Sequence, residues 1–451
     1  MKIECFKSYD VRGKLGETLT PEICERIGRA FAEVMQPGTV VTGRDIRESS
    51  SELQEALHRG LVAAGCTVYD IGLCGTEEVY FATDHLGAGG GLMVTASHNP
   101  IDYNGIKMVR EGARPISSET GLADIQARAE AGDFGEDVPG GAVEPRDPRA
   151  AYVERVRSFV STDGMNPLKI VVNAGNGAAG PSFDAIVDGW DAPWDFVRVH
   201  HDPDGSFPNG IPNPLLPENR AATADAVVAE GADLGVAWDG DFDRCFFFDE
   251  TGAFLDGEYV VALLGRAFCA KESGAGIVYD PRVIWGTEAE VAKAGGEAIM
   301  SRVGHSHIKK IMRERDALYG GEMSAHHYFR DFMYCDSGMI PWLLVAELVS
   351  RSDQTLSQMV AQMREDFPSS GEINFTVADK PAAIAAFEEA YRSQAQDVTT
   401  LDGVSLDMGD WRVNVRQSNT EPVLRLNVEA KGDRALLDKK VAEISELLAK
   451  F

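Results

Sequence analysis

Gly90-Gly91-Leu92-Met93-Val94-Thr95-Ala96-Ser97-His98-Asn99-Pro100 is the stretch that decides how this chain is read. Leu92 to Val94 form a short apolar run, too short for a helix and free of polar interruption, as expected of a buried strand. The strand runs into small residues and then a hydroxyl, Ser97, beside an imidazole, His98. Pro100 biases Asn99 away from helix, so Ser97 is expected on a shaped loop at a strand's carboxyl end. In isolation such a turn is more often a place where Ser and Asn bond their own backbone.

The same placement recurs along the chain. Leu234 to Ala237, another apolar strand candidate, leads into Trp238-Asp239-Gly240-Asp241-Phe242-Asp243-Arg244. Carboxylates at alternate positions can converge on one hard cation, and Gly240 allows the tight curl this needs. A calcium-binding EF-hand would require Gly at the sixth position and Glu at the twelfth, where Arg244 and Glu250 stand. Three aspartates packed without a cation would repel one another, so a metal site is favoured over a solvated acidic turn. Magnesium suits it, since three carboxylates leave octahedral positions for a phosphate oxygen and water.

Leu318-Tyr319-Gly320 leads likewise into Gly321-Glu322-Met323-Ser324-Ala325-His326-His327, a set of side chains suited to sugar hydroxyls. Near the C-terminus, Arg416-Gln417-Ser418-Asn419-Thr420-Glu421-Pro422 offers a guanidinium, hydroxyls and turn amides, the parts of a phosphate cradle. Each of these two is weak taken singly.

Strand candidates continue between the loops. Val40 to Thr42, Val68 to Ile71 and Leu92 to Thr95, with a helix from near Ser49 to Gly65, form one α/β unit. Ile170 to Val172, Phe196 to Val199 and Leu234 to Ala237 form a second, after a Gly/Pro-rich stretch at 132–148 read as a linker. Ile277 to Tyr279, Ala298 to Met300 and Leu318 to Tyr319 form a third. Beyond Phe367-Pro368, Ile373 to Val377, Val413 to Val415 and Val423 to Val428 read as an antiparallel sheet with helices at 382–392 and 435–448. The expected architecture is three consecutive α/β mixed-sheet domains (1–146, 147–250, 251–367) followed by a smaller α+β C-terminal domain (368–451). In open α/β sheets ligands bind beyond the carboxyl ends of strands, where these loops stand.

Composition agrees. The chain's 451 residues exceed one core, and 44% hydrophobic residues suffice for several. No run approaches a membrane span and the N-terminus lacks the apolar segment of a secretion signal, so a cytoplasmic location is expected. Seven cysteines with no Cys-x-x-Cys spacing predict reduced, mostly buried thiols. A net charge of −28 opposes binding to nucleic acid or to anionic membranes. An anionic substrate would then need a local basic exception, for which Arg12, Lys107, Arg244, Arg282 and Arg416 are the candidates.

Gly175-Asn176-Gly177-Ala178-Ala179-Gly180 matches the G-x-G-x-x-G dinucleotide fingerprint, with Asp195 about twenty residues on. A lone match is weak, because glycines serve any tight strand-to-helix turn. A dehydrogenase is therefore a rival reading, settled by a cofactor absorbance test. A metal-dependent sugar-phosphate phosphatase and a non-catalytic sugar-phosphate binding protein are two others.

The loops Ser-His-Asn-Pro, Asp-Gly-Asp-Phe-Asp-Arg, Gly-Glu-Met-Ser and Arg-Gln-Ser-Asn-Thr, in that order, resemble the α-D-phosphohexomutase family. The resemblance extends from Tyr9-Asp10-Val11-Arg12-Gly13 past Pro422, and Gly320 to Asp331 is similar to the bacterial phosphomannomutase branch, which supplies mannose 1-phosphate for GDP-mannose. It implies an active site in a central cleft and a mobile fourth domain. It implies a phosphoserine at Ser97, whose phosphate goes to a hexose monophosphate and returns from a hexose 1,6-bisphosphate, the bisphosphate also serving as activator. It implies Mg2+ held by Asp239, Asp241 and Asp243 with the Ser97 phosphate. His98, Arg12, Lys107, Arg244 and His326 are implied around the reacting phosphate, with Tyr9, Arg282, His305, Glu322, Ser324, Arg416, Ser418, Asn419 and Thr420 binding substrate. High intrinsic pKa values favour electrostatic roles for Arg12 and Lys107, leaving a histidine to handle protons. Phosphoglucomutase or dual mannose/glucose specificity stays open, as does oligomeric state.

Overall fold

The computed structural model describes residues 1–282, 284–418 and 423–451. It divides into two compact units, residues 1–254 with 324–355, and residues 255–323 with 356–451.

In the first unit, Gly90–Val94 is buried along its whole length and pairs in parallel with Thr39–Arg44, which pairs in parallel with Thr67–Leu73. Parallel strands need crossovers, supplied by Ser50–Ala63 and Thr76–His85. Burial on both faces explains why Gly90–Val94 reads as an unbroken apolar run. Pro21–Met35 packs its Ile23, Ile27 and Phe31 stripe into the same core. Thr20 caps it, accepting a hydrogen bond from the Ile23 amide, and Pro21 occupies the first turn, where its missing N–H costs nothing.

Two antiparallel strands complete this sheet. Tyr103–Arg110 lies against Gly90–Val94, and Val11–Lys14 lies against Tyr103–Arg110. They place Arg12 and Lys107 on the sheet that also ends at Ser97. The stretch 132–148, read as a linker, instead contains Ala142–Pro145, which pairs in parallel with Thr67–Leu73. Its exposure at the sheet edge removes the apolar pattern that marks inner strands, and Pro145 closes it where an edge tolerates a missing donor.

A second sheet orders Cys245–Asp249, Leu234–Trp238, Leu168–Asn173 and Trp194–Val199, the first antiparallel and the rest parallel. The fingerprint glycines here serve packing. A Cβ on Gly177 would lie 2.8 Å from the Gly240 carbonyl and one on Gly180 2.1 Å from that of His201, so the segment admits no side chains there.

The second unit carries Gly276–Tyr279 in parallel with Glu297–Met300 and Tyr319–Gly321, with helices Gly257–Lys271, Trp285–Lys293 and His305–Arg315. It also carries an antiparallel sheet in the order Ser369–Phe375, Leu424–Ala430, Trp411–Gln417, Val404–Asp407, Asp397–Thr399. Lys380–Tyr391 and Arg434–Leu448 cover one face, and Phe387, Val413, Val415, Leu426, Val428 and Ile444 lie in the core between. Asp379 and Asp433 cap these helices through the Ala382 and Leu436 amides. All seven cysteines are buried. No helix among the described residues is long and apolar enough to cross a membrane.

Candidate active site

Strand Gly90–Val94 ends where the chain turns sharply enough to place Ser97 at φ +50°, a left-handed conformation uncommon outside glycine. The surroundings hold it there. The Ser97 amide donates to Thr95 Oγ1 at 2.9 Å. Arg47 donates to the carbonyls of Ser97 (2.9 Å), Asn99 (2.6 Å), Pro100 (2.9 Å) and Tyr103 (3.1 Å), so one buried guanidinium shapes the whole loop. Sequence reading missed Arg47. Its only local trace is its place just past strand Thr39–Arg44, which says nothing about carbonyls some fifty residues on.

Strand Leu234–Trp238 delivers Asp239 to this loop, and Ser97 Oγ donates to Asp239 Oδ2 at 2.6 Å. The two loops touch along their backbones. A Cβ on Gly240 would stand 2.8 Å from the Ser97 carbonyl, and Phe242 takes φ +43° so that the carboxylates on either side can turn inward. Asp239, Asp241 and Asp243 are buried, and one oxygen of each lies within 4.8 Å of the others. The Oδ1 atoms of all three make no hydrogen bond among the described residues. Carboxylate oxygens without hydrogen bonds are costly to bury, and three aspartates clustered this closely fit the all-oxygen shell of a hard divalent cation.

Protein cations already compensate part of this charge. Lys107 Nζ donates to Asp241 Oδ2 at 2.7 Å and to Asp243 Oδ2, and Thr76 Oγ1 donates to Asp241 Oδ2 at 2.5 Å. Burial pulls the Lys107 pKa down, but Asp241 and Asp243 outweigh it and hold the ammonium charged well above its ordinary range. Burial, with Asp243 and Asp241 adding repulsion, pushes the Asp239 carboxyl up to about 7. Burial would raise Asp243 too, yet Lys107 and His326 hold it well below the carboxylate range.

His98 Nδ1 stands 3.1 Å from Ser97 Oγ. Burial, then Arg244 and Arg12, keep its pKa well below that of a free imidazole, so it is neutral at pH 7. Arg12 is anchored by Asp10 at 2.8 Å and by the Asn99 side chain. Arg244 Nε donates to His326 Nε2 at 3.3 Å and lies 3.7 Å from Asp239 Oδ2. His326 in turn sits 3.5 Å from Asp243 and 3.4 Å from Ser324 Oγ. Of the residues singled out in the sequence, Ser97, His98, Arg12, Lys107, Asp239, Asp241, Asp243, Arg244, Ser324 and His326 therefore form one connected group. Asp336, buried and within 4.8 Å of Asp243 and His326, joins them and was also missed. Tyr9 is half-buried just ahead of strand Val11–Lys14.

The second unit holds another group. Arg282 is clamped by both oxygens of Asp280 (2.9 and 2.7 Å) and lies 3.6 Å from Glu322 and 3.4 Å from Glu372. Glu322 accepts the Gly304 amide at 2.9 Å, just before His305 opens the helix His305–Arg315. Arg416 donates to Glu372 at 2.8 Å. Ser418 is half-buried, its amide bonded to the Val423 carbonyl at 3.0 Å, while Asn419 and Thr420 lie outside the described residues. Glu322 and Ser324, neighbours in one motif, fall in different compact units, and Ser324 is engaged with His326.

Four family models cover nearly the entire chain: phosphoglucomutase/phosphomannomutase alpha/beta/alpha domain I at residues 4–136, domain II at 150–252, domain III at 256–367, and the C-terminal domain at 372–447. A phosphomannomutase of Salmonella montevideo is 56% identical over 451 residues, covering 99% of this chain and 99% of that relative. A Xanthomonas campestris protein described as phosphohexose mutases is 55% identical over 448 residues, covering 99% of this chain and all of that relative. The crystal structure of a phosphoglucomutase/phosphomannomutase family protein from Burkholderia thailandensis matches with a TM-score of 0.87 at 32% identity, covering 100% of this chain and 98% of that one. With matching models over all four domains and relatives above half identity from end to end, the chain belongs to the phosphoglucomutase/phosphomannomutase family and is a mutase, an isomerase.

Proposed function

We propose that this mutase interconverts mannose 6-phosphate and mannose 1-phosphate, with Ser97 as the phosphate carrier, and so feeds GDP-mannose synthesis. One observation carries the reading: a single buried hydroxyl held at 2.6 Å from Asp239, beside a buried cluster of three aspartates and cationic neighbours. The 56% identity to a relative named phosphomannomutase supports the sugar assignment.

In this reading the resting enzyme bears phosphate on Ser97 Oγ. The free hydroxyl oxygen of a bound hexose monophosphate attacks phosphorus, the P–Oγ bond breaks, and the hydroxyl proton passes to a histidine. His98 and His326 are the groups able to take it, whereas Lys107 stays charged and stabilises the spread negative charge. The hexose 1,6-bisphosphate turns end for end, its other phosphate returns to Ser97, and the isomeric monophosphate leaves. Asp239, Asp241 and Asp243 would hold Mg2+, which would supply Lewis-acid withdrawal of charge at the phosphoryl group. Arg244 adds charge stabilisation, Arg416, Arg282 and Ser418 grip the phosphate that is not transferred, and Glu322 and His305 read the sugar. Tyr9 contributes to substrate binding.

The deciding assay offers mannose 1-phosphate, glucose 1-phosphate and glucosamine 1-phosphate separately, each with catalytic bisphosphate. Preference for mannose is expected. Equal turnover of glucose would move the reading to a dual-specificity enzyme, in line with the broader name of the Xanthomonas relative. Release of inorganic phosphate in place of an isomer would make it a phosphatase. Two variants test the parts. Asp243→Asn should weaken calorimetric Mg2+ binding by about 100-fold, since even groups behind the metal ligands matter by 10–100-fold. Arg416→Ala removes charge-assisted hydrogen bonds of about 1.5–3 kcal/mol and should raise KM for both mannose phosphates by about tenfold or more. Unchanged KM in both directions would remove Arg416 from the phosphate grip.

A further inference from the structure

Each aspartate of the acidic loop gives one oxygen to protein donors. Asp239 Oδ2 accepts Ser97 Oγ at 2.6 Å, Asp243 Oδ2 accepts Lys107, and Asp241 Oδ2 accepts both Lys107 Nζ at 2.7 Å and Thr76 Oγ1 at 2.5 Å. The second oxygen of each makes no hydrogen bond among the described residues, although His326 Nε2 stands 3.5 Å from that of Asp243.

Thr76 reaches Asp241 through a built contact between two elements. It opens the helix Thr76–His85, whose first amides have no partner within the helix. The acidic loop supplies one. The Thr76 amide donates to the Asp241 carbonyl at 3.1 Å, so main chain and side chain of Thr76 hold the same residue. Gly75, just ahead of the helix, lets the loop approach: a Cβ there would stand 2.2 Å from the Phe242 ring. Glu78 fixes the helix start in turn, accepting the Gly75 amide and the Ser182 hydroxyl, each at 2.9 Å. Thr76 and Asp241 are both fully buried, which keeps solvent from competing for their bond.

The other groups around Asp241 are less specific to it. Lys107 divides its charge between Asp241 and Asp243, and Arg12 and Arg47 act on Asp241 as charges through space. Among the described residues Thr76 is the side-chain donor that serves the Asp241 carboxylate alone. A carboxylate with one oxygen held offers a cation only the other. Such ligands suit a small cation that demands octahedral geometry and keeps several waters, whereas a larger one such as Ca2+ collects more oxygens and takes carboxylates through both.

We infer that Thr76 is a positioning residue that restricts Asp241 to one-oxygen coordination and so biases the acidic site toward Mg2+ over Ca2+. The inference rests on the reading of Asp239, Asp241 and Asp243 as cation ligands, and adds the group that sets which cation they prefer.

The experiment titrates Mg2+ and Ca2+ separately, by calorimetry, into the chelator-treated full chain of wild type, Thr76→Val and Thr76→Ser. Valine keeps the branched shape and the amide bond but lacks the hydroxyl, whereas serine keeps the hydroxyl. Thr76→Val should bind Mg2+ about 10–100-fold more weakly, the range for losing a group behind a metal ligand. Ca2+ binding should fall by less or rise, because the released carboxylate can turn to offer both oxygens, so the preference for Mg2+ drops by about tenfold or more. Thr76→Ser should keep the wild-type preference. Thr76→Ala, which removes the hydroxyl without adding a methyl, gives the same reading if the valine variant does not fold. Equal losses of both cations are what a loosened fold would produce and overturn the inference, as does an unchanged preference or a loss that Thr76→Ser shares. A wild type that binds neither cation removes the cation reading of the aspartates instead, and the role of Thr76 with it.

Discussion

Ser97→Ala should lower mutase turnover by about 10^4-fold while leaving the fold unchanged, because a carrier residue has no substitute for the oxygen that holds the phosphate. The local geometry argues against rescue. His98 is the imidazole beside Ser97 Oγ, and its nitrogen is directed at the hydroxyl it would have to replace. Asp239, the other direct partner, is a carboxylate among carboxylates that already repels negative charge. Mass spectrometry of the wild type should find phosphate on Ser97 in a fraction of molecules and none on the alanine variant. Turnover within tenfold of wild type in Ser97→Ala would end the carrier mechanism. Because Arg47 shapes the loop through carbonyls alone, the alanine variant should retain the loop conformation, and near-ultraviolet circular dichroism should match wild type.

The strands that end at the reactive loops were legible because burial on both faces leaves an unbroken apolar run, and Gly90–Val94 and Leu234–Trp238 are both of this kind. The acidic loop was legible for a different reason: three aspartates at alternate positions make little sense in a packed interior without a cation. Strand Ala142–Pro145 was hidden because an exposed edge carries no apolar pattern. Arg47, Asp336 and Glu372 were hidden because nothing local marks them. Each acquires its role from groups that the fold brings together, and a charged residue in a loop or on a bulge looks the same in sequence whether solvent or a buried partner meets it. Residue type was enough to single out side chains that the fold brings together, whereas the groups that position them needed the coordinates.

Glu77 is the extreme case, and its replacement should have the largest effect on stability. It is fully buried, and its carboxylate accepts the Tyr152 hydroxyl at 2.5 Å, the Ser337 hydroxyl at 2.8 Å, the Met339 amide at 3.2 Å and the Gly338 amide. It thereby caps the helix Met339–Ser350 from a residue 262 positions earlier and ties it to the helix Arg149–Arg157. Glu77→Ala leaves two hydroxyls and two amides without their acceptor. At about 1–3 kcal/mol for each buried donor left unsatisfied, and with water able to reach some of them, a loss of about 4 kcal/mol is expected. Urea unfolding followed by tryptophan fluorescence should show an early transition for the unit that contains it. Burial pushes the Glu77 carboxyl up to about 8, against the pull of its donors, from a usual value of 4.5. The folded chain therefore binds this proton more tightly than the unfolded chain does, so the contribution is complete below the unfolded value and is lost as pH rises through about 8. Glu77→Gln, which keeps the shape and cannot ionise, should remove that slope. Wild type should lose stability relative to Glu77→Gln between pH 5 and pH 8, and parallel stability profiles for the two would show that Glu77 is ionised in the fold throughout.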